Sequence, residues 1–434
     1  MPRIRVPVIV LVVLAGLVVV LAAALYGASR LAWFERQASS QLSEILGWPV
    51  QVGDLAVGYF PLPWIEVDRL VVAGNPAGDA RPLAEVSHLR VQLPWRTVLG
   101  RGAHVSSVTL TAPRLVLAVD ADGVGNWEPF VDRLVQLGGE GPAAWSVGSL
   151  KVEEGGLEYG RAGEAPGVVL TGLAVAAGNP RPATPFDLDL RLAGQAGERT
   201  FHATAAGRAM LDPDADVYAA DELVLAGWIG GADLPLAGVN WAGSVDSARV
   251  DLAAGTALLR GATIDTLGVH ADAEVEVTGL DATPTIAFSL ETGEFSPRMA
   301  AFGVNRPLPE TTDPEALSRA RLTARGTLST AGLVVGSLQG ELDDTHFDGS
   351  LRLPSGVEPL QVRLQLDVLD LDRYLPPDDP AAPTTPQSAL QELLAGLEAL
   401  DVEAEIRVGE ARMSGARARG LTVTLTPAGG EATP

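Results

Sequence analysis

The side chains that most often carry out chemistry in enzymes are scattered along this chain. No histidine lies within helical reach of another, and no H-E-x-x-H metal site occurs. No G-x-S-x-G nucleophile elbow occurs either. The segment nearest to one, Gly336–Gly340, has its serine at the wrong spacing and is interpreted as a strand with bends. Solvent-facing strand positions are predicted for all five histidines, His88, His104, His202, His270 and His346.

Two acidic segments have the composition of a metal site without its spacing. Asp120–Asn126 faintly resembles a calcium loop, but Val124 stands where an oxygen ligand is needed and the closing glutamate is missing. We interpret it as a turn that leads from a strand into a short helix capped by Asn126. A solvated acidic turn is predicted for Asp343, Asp344 and Asp348. The sequence therefore predicts no catalytic residue, metal site or cofactor, and we expect no enzymatic activity.

Charge and cysteine content narrow the function further. The chain has 434 residues, with 31 Lys+Arg against 54 Asp+Glu and a net charge of −23. Because nucleic acids are bound by basic surfaces, this balance predicts no nucleic-acid partner. The chain contains 0 cysteines, which excludes disulfides, cysteine-based zinc sites and thiol nucleophiles. Such a composition fits an oxidising export compartment without being diagnostic of it.

The N-terminal region carries a membrane signal. Val6–Ser29 contains no charged side chain, and a helix of that length would measure roughly 36 Å, enough to cross a bilayer core of about 30 Å with some tilt. Residues 1–5 would be a cytoplasmic tail, because Arg3 and Arg5 favour that side. A cleaved signal peptide is the alternative, although signal-peptide cores usually span about 7–15 residues. The anchor, residues 6–29, includes Val6, Leu14, Leu21 and Leu25.

Residues 30–47 are predicted to form an amphipathic stem between the anchor and the first strand. Phe34, Ala38 and Leu42 recur at helical spacing, and Gly47 is a natural helix stop. The stem would lead the membrane helix directly into the body of the protein.

From Val50 onward the hydrophobic period is mostly two. Phe186–Leu192 and Leu360–Val368 alternate without a break, and turn residues separate such runs at short intervals. Strict alternation places one strand face in water and the other against something apolar. The pattern predicts a long antiparallel meander. The positions predicted to line its apolar face are Leu188, Leu190, Val362, Leu364, Leu366, Val402, Ile406 and Val408.

Helix signals after the stem are few. Asp313–Pro314 predicts one brief turn, and residues 376–400 predict a Pro-rich linker followed by a helix that begins at Pro386. Such a small supply of helices cannot cover every apolar strand face. The sheet must therefore pack on itself as a sandwich or barrel, or curl into a trough whose apolar lining meets a ligand.

An ordered series of segments resembles the AsmA family. Each segment is weakly specific, whereas their order covers most of the chain and carries the resemblance. The last one contains an aspartate–arginine–tyrosine signature before a Pro-rich insertion. After the membrane segment, the series comprises Leu46–Val52, Phe60–Pro61, Ile65–Val72, Gly74–Asn75, Val91–Gly100, Val108–Leu117, Asp122–Gly123, Asn126–Trp127, Val147–Tyr159 and Leu369–Pro377.

The resemblance implies a mainly-β fold in which an N-terminal transmembrane helix precedes a long, curled antiparallel sheet that forms a groove. Residues 48–140 would be an N-terminal AsmA-like β unit, residues 141–375 a continuing β-groove, and residues 401–434 the last strands and tail. Relatives typically continue with further β-segments. The end of the sequence at Pro434 therefore indicates either a short member of the family or a truncated sequence.

The resemblance also implies a single-pass protein of the inner (cytoplasmic) membrane of a Gram-negative envelope, with its N-terminus cytoplasmic and its body periplasmic. Its expected role is to shield or conduct phospholipid acyl chains, in phospholipid transport and outer-membrane assembly. Keeping acyl chains out of water is worth about 0.8 kcal/mol per CH₂. The alternative is a non-transporting scaffold that assists outer-membrane protein assembly through envelope protein partners. A third hypothesis, an envelope hydrolase, ranks last because no constellation of catalytic residues supports it.

Overall fold

A computed structural model of the chain describes residues 49–74, 81–99, 104–121, 123–130, 146–212, 214–232, 234, 238–280, 282–304, 308, 310–356, 358–375, 402–413 and 415–426. The predicted tail, anchor and stem lie outside the described residues, and so does the linker with its helix at 376–400. In the described part of the chain, no helix is long and apolar enough to cross a membrane. The described residues form two compact units: unit 1 runs to Asp212 and includes Gly227–Gly231, and unit 2 holds the rest.

Unit 1 is built on a mixed sheet. The short strands β1 and β2 both pair with β3, and the order continues β3–β4–β6–β8–β9–β10–β11. β5 and β7 form a separate parallel pair. One short helix, α1 (Trp95–Val98), follows β4. The strands are β1 (Val50–Val52), β2 (Leu55–Gly58), β3 (Trp64–Val72), β4 (Ala84–Gln92), β5 (His104–Val105), β6 (Ser107–Val119), β7 (Ser146–Val147), β8 (Ser149–Arg161), β9 (Val168–Gly178), β10 (Phe186–Ala196) and β11 (Arg199–Asp212).

Unit 2 carries strands that pair in chain order from β13 to β22. Among the described strands, β22 pairs with β21 alone. Two short helices, α2 (Pro297–Gly303) and α3 (Leu371–Tyr374), follow β16 and β20. β12 (Val217–Gly230) contributes residues to both units. The other strands are β13 (Val239–Asp251), β14 (Thr256–Thr266), β15 (Val269–Thr278), β16 (Thr285–Thr292), β17 (Ala320–Ser329), β18 (Gly332–Leu342), β19 (Thr345–Pro354), β20 (Leu360–Asp370), β21 (Val402–Met413) and β22 (Ala416–Leu425).

The prediction of a mainly-β chain with few helices is confirmed, whereas the prediction of a purely antiparallel sheet is wrong. β6 pairs with β8 in parallel, and β20 pairs with β21 in parallel. A parallel pair needs a crossover of about a dozen residues or more. Residues 120–148 and 371–401 provide these crossovers, although their sequences indicate turns and a linker.

Buried apolar side chains are concentrated in unit 1. The larger cluster covers one face of β3, β4, β6 and β8, and it includes side chains from connecting segments, such as Leu83, Trp127 and Phe130. A small second cluster joins Ala177, Phe186 and Ala209 at β9, β10 and β11. Both clusters that the described residues form thus belong to the first half of the chain.

Candidate functional site

In unit 2, alternation aligns the apolar side chains into rows that run from strand to strand. Residues that face each other across a ladder share one side of the sheet, so the registers trace each row directly. One row crosses nine strands and contains no charged residue. Its members are Leu259, Val275, Phe288, Gly326, Val335, Leu351, Val362, Ala404 and Leu425.

A second row lies beside the first, on the same side of the sheet, and is also uncharged. Bulges in β14 and β18 shift the register between the two rows without breaking either of them. We call the surface formed by both rows the apolar face of unit 2. The second row comprises Ala262, Ala273, Leu290, Ala324, Leu338, Gly349, Leu364, Ile406 and Val423.

The structure places six of the predicted lining residues on this side of the sheet. Three of them are in the two rows, and the other three continue the same side of β20 and β21. Val362, Leu364 and Leu366 alternate along β20, and on the neighbouring β21 Ile406 is opposite Leu364. The remaining two lie on the same strand, with Val408 opposite Leu366 and Val402 opposite Leu360. Their predicted role as groove lining stays a prediction.

Leu188 and Leu190, the other two predicted lining residues, lie on β10 in unit 1. Leu190 is opposite Val175 on one side and Ala205 on the other. Both leucines are half-buried. Leu190 belongs to a row whose burial changes along the sheet, from fully buried in β3, β4, β6 and β8 to half-buried in β9, β10 and β11. The row comprises Leu55, Val67, Leu89, Leu110, Val152, Val175, Leu190 and Ala205.

Much of the apolar face of unit 2 remains accessible to solvent. Most of the large side chains in its two rows are half-buried, with Val335 and Leu425 as buried members. At its margins Leu353 is 49% exposed and Leu328 is 43% exposed. A contiguous exposed apolar surface larger than a few hundred Å² is unusual on a soluble monomer and marks an interaction site.

Two phenylalanines lie flat against this face because each faces a glycine across the ladder. A Cβ on Gly326 would come within 2.9 Å of Phe288 Cζ, and one on Gly340 within 2.6 Å of Phe347 Cζ. Both pairs are directly opposite in register. The glycines therefore make room for the rings. The sequence prediction missed these residues, although Phe288 and Phe347 fall in the alternating pattern of their strands.

The opposite side of the sheet carries the charge. Glu274 and Glu276 on β15 are exposed, as are Arg363 on β20 and Glu403 on β21. This distribution keeps one surface of each strand hydrated while the other is apolar.

Three of the five histidines form cross-strand pairs with aspartates on the polar side. His88 Nδ1 is 2.7 Å from an Asp68 oxygen, and His270 Nδ1 is 2.8 Å from an Asp265 oxygen. His346 Nδ1 is 3.1 Å from Asp367. The hydrogen bond that His270 donates to Asp265, and then the negative charge of Asp265, raises the pKa of His270. Each of these histidines also has a second carboxylate within 4.0 Å of Nε2, supplied by Glu66, Asp272 and Glu341 respectively. The described residues contain no group of three or more ligands that could hold a metal ion.

Asp343 is a structural hub, so its prediction as part of a solvated turn is wrong. It is only 3% exposed, and its carboxylate accepts hydrogen bonds from the backbone N–H groups of Leu317 and Ser318 at 2.8 and 3.1 Å. The Tyr374 hydroxyl donates to the same carboxylate at 2.9 Å. Burial, and then this hydrogen bond, raises the pKa of Tyr374 to about 12. Arg319 N–H completes the set of backbone donors at 3.3 Å.

Asn126 also differs from its prediction, because its side chain supports a strand rather than capping a helix. Its Oδ1 accepts from the Ala118 N–H at 3.0 Å, and its Nδ2 donates to the Val116 carbonyl at 2.9 Å. Both partners lie on β6, beyond Leu115, the last residue of β6 that pairs with β4. The amide thus satisfies backbone groups at an edge that β4 no longer covers. The part of the predicted helix beyond Phe130 lies outside the described residues.

Comparison with known proteins leaves the apolar face as the principal guide to function. The chain matches no family model, no curated protein and no solved structure. The resemblance drawn from its ordered motifs therefore stays a prediction. What the described residues offer chemically is a wide apolar surface backed by a hydrated one.

Proposed function

We propose that this protein is anchored in the inner membrane, with its N-terminus cytoplasmic, and that its periplasmic body shields or conducts the acyl chains of phospholipids. It would contribute in this way to phospholipid transport and outer-membrane assembly. One observation carries the proposal: an uncharged, half-exposed apolar face that crosses nine consecutive strands of unit 2.

The dimensions and chemistry of that face suit a hydrocarbon chain. Nine strands at about 4.8 Å spacing would extend roughly 38 Å along the sheet. Each buried methylene is worth about 0.8 kcal/mol, so an acyl chain laid along the face would gain several times that amount. Aliphatic side chains bind such a chain without directional contacts and therefore allow it to slide.

The bulges support a curled sheet. β14 has a register shift at Gly261, and β18 has one at Gly336. A bulge bends its strand and increases the local twist. Curling toward the apolar side would surround a bound chain more fully and lower the exposure of Leu328 and Leu353.

Site-specific photocrosslinking tests the proposal directly. We expect a photoreactive amino acid at position 364 to form phospholipid adducts in membranes, whereas one at position 363 should not. The two positions are adjacent on β20 and face opposite sides, since Leu364 is half-buried on the apolar face and Arg363 is exposed. Equal labelling at both positions, or none at 364, would contradict the proposal. Adducts with proteins alone at 364 would favour the scaffold alternative.

Charge placed on the face should block lipid passage. We expect Leu364→Asp to suppress lipid adducts at a photoreactive residue in position 406, because Ile406 is the direct neighbour of Leu364. Leu190→Asp tests the corresponding half-buried face of β10. Arg363→Asp is the matched control, since it adds the same carboxylate to the hydrated side. Normal lipid adducts in both Leu364→Asp and Leu190→Asp would rule out these two strand faces as the lining.

A further inference from the structure

One end of unit 1 carries an exposed cluster of aromatic and aliphatic side chains. Phe60 is 89% exposed and Leu99 is 68% exposed, and both belong to connections at the same end of the sheet. We call this cluster the aromatic tip. Its members are Tyr59, Phe60, Leu62, Trp95 and Leu99.

The sheet brings the two parts of the tip together. Trp64, at the start of β3, is opposite Gly58 at the end of β2 and opposite Gln92 at the end of β4. The β2–β3 turn and helix α1 therefore emerge side by side. The Trp95 indole Nε1 donates to the Pro61 carbonyl at 3.4 Å, which joins them.

Helix α1 is held in place from below. The Thr97 side chain is buried, and its Oγ1 donates to the His104 carbonyl at 2.8 Å. The tip thus presents its large side chains from a fixed support, and the described residues of unit 1 leave them exposed. Exposed apolar patches on a supported surface mark contacts with a protein or a membrane.

Charge at this end points to a lipid headgroup layer. The described residues of the connections between β2 and β10 at this end contain no Asp or Glu, in a chain of 54 acidic residues. They carry two exposed arginines, Arg96 and Arg181. Burial, and then the positive charges of these two arginines, lowers the pKa of His104. Carboxylates at this end lie within the strands, as at Glu66 on β3, Glu153 on β8 and Asp187 on β10.

The other end of the same strands is more acidic. Its described connections carry the exposed carboxylates Asp120, Glu164 and Glu198 beside one exposed arginine, Arg81. Tryptophan and tyrosine concentrate at the membrane–water boundary, phenylalanine and leucine are buried by interfacial segments, and basic residues bind anionic lipid headgroups. The composition of the tip therefore matches a bilayer surface, and that of the opposite end matches water.

The chain length before β1 allows this arrangement. β1 pairs with the far end of β3, around Val72, and β3 spans 9 residues, or roughly 26–30 Å at about 3.3 Å each. Residues 30–49 could reach about 30 Å even as a helix. The end of the predicted anchor can therefore lie level with the tip.

We propose that the aromatic tip inserts into the interfacial layer of the phospholipid bilayer, with Arg96 and Arg181 at the headgroup phosphates. This inference rests on the part of the proposed function that holds the body at a membrane. The tip then fixes which end of unit 1 faces the bilayer.

The absence of cysteine makes a direct test possible, because a single introduced cysteine carries one label. The full chain is reconstituted into vesicles of phosphatidylcholine and phosphatidylglycerol with an environment-sensitive fluorophore on Phe60→Cys. The matched control is Thr200→Cys, an exposed position at the opposite end of the strands. The vesicles are floated, and brominated phospholipid serves as a quencher. Both positions are exposed, and thermal unfolding confirms that both labelled variants are folded.

We expect the label at position 60 to shift to shorter emission wavelength and to be quenched by brominated lipid, while the label at 200 shows neither change. A protein that fails to float, or a label at 60 as water-exposed as that at 200, overturns the proposal. If the tip binds a protein partner instead, the label at 60 should be as water-exposed as the label at 200, because these vesicles contain no partner. Lipid adducts at position 364 with no quenching at position 60 would overturn only the insertion of the tip into the bilayer. Quenching at 60 with no adducts at 364 would overturn only the proposed binding of acyl chains on the apolar face.

Discussion

At the scale of single residues, Asp343 shows how a carboxylate can hold three chain segments together. We expect Asp343→Ala to lower the free energy of unfolding by about 3 kcal/mol, because it leaves buried backbone donors without a charged acceptor. The residue also has a φ of 52°, a conformation that aspartate tolerates better than alanine. Chemical denaturation measures the loss.

The neighbouring Asp344 is the control for this prediction. Its side chain is 77% exposed and bonds to Arg319 and Arg373, and exposed ion pairs are worth about 0–1 kcal/mol. We expect Asp344→Ala to cost at most that amount. Asp343→Asn should fall between the two, because one amide oxygen still accepts. Similar losses for Asp343→Ala and Asp344→Ala would contradict the assignment of Asp343 as the hub.

The His270–Asp265 pair makes a second prediction, on pH. The pKa of His270 is raised in the folded chain, so its stabilising contribution is complete below the unfolded value of about 6.5 and is lost as pH rises through the raised value. We expect His270→Gln to lower the thermal midpoint at about pH 5.5 and to have no effect at about pH 8.5. Asp265→Asn should reduce the same pH dependence, because Asp272 remains 3.7 Å from His270 Nε2. A pH-independent effect of His270→Gln would count against the pair.

At the scale of elements, the flat packing of Phe347 on β18 can be tested on a single strand. A Cβ at Gly340 would meet the ring, whereas a Cβ at Gly336 meets nothing within 4 Å. That Cβ would also clash with the Arg321 carbonyl oxygen, so we expect Gly340→Ala to cost about 1–3 kcal/mol through displacement of the ring and of the neighbouring strand. Gly336→Ala should cause no loss of stability. Equal effects in a urea titration would show that the ring does not depend on the glycine.

Most strands could be predicted because alternation records one-sided burial within a short segment. Phe186–Leu192 and Leu360–Val368 fall within β10 and β20. No short sequence pattern shows which strand pairs with which. Both parallel pairs were therefore not predicted. The crossover before β8 has the glycines and aspartates of an ordinary turn.

The candidate site was predictable to the same extent. Alternation predicted that Leu364 and Ile406 each lie on the apolar face of a strand. The register in the structure places them opposite each other. The role of Asp343 could not be predicted, since its donors are backbone N–H groups that any residue supplies from at least 24 positions away. The aromatic tip lies in connections, where no period marks which side chains are exposed.

At the scale of the whole molecule, the two units differ in how their apolar surfaces are satisfied. Unit 1 covers most of its face from within, with Trp127 and Phe130 in its buried cluster. In unit 2, the described residues leave the corresponding rows half-exposed. A face covered by its own chain stabilises the fold, whereas a face left open is available to a ligand.

That contrast predicts where a bound lipid would stabilise the protein. A ligand that binds only the folded state stabilises it by RT ln(1 + [L]/Kd), and local protection rises where the ligand binds. We expect added phospholipid to slow amide hydrogen exchange in β16–β20 of the lipid-free full chain. Exchange in β3, β4 and β6 should change little, because their apolar face is already covered. Mass spectrometry of peptic fragments provides the measurement, with Leu364→Asp as the variant that should lose the effect. Protection confined to unit 1, or equal across both units, would place the lipid elsewhere than on the apolar face.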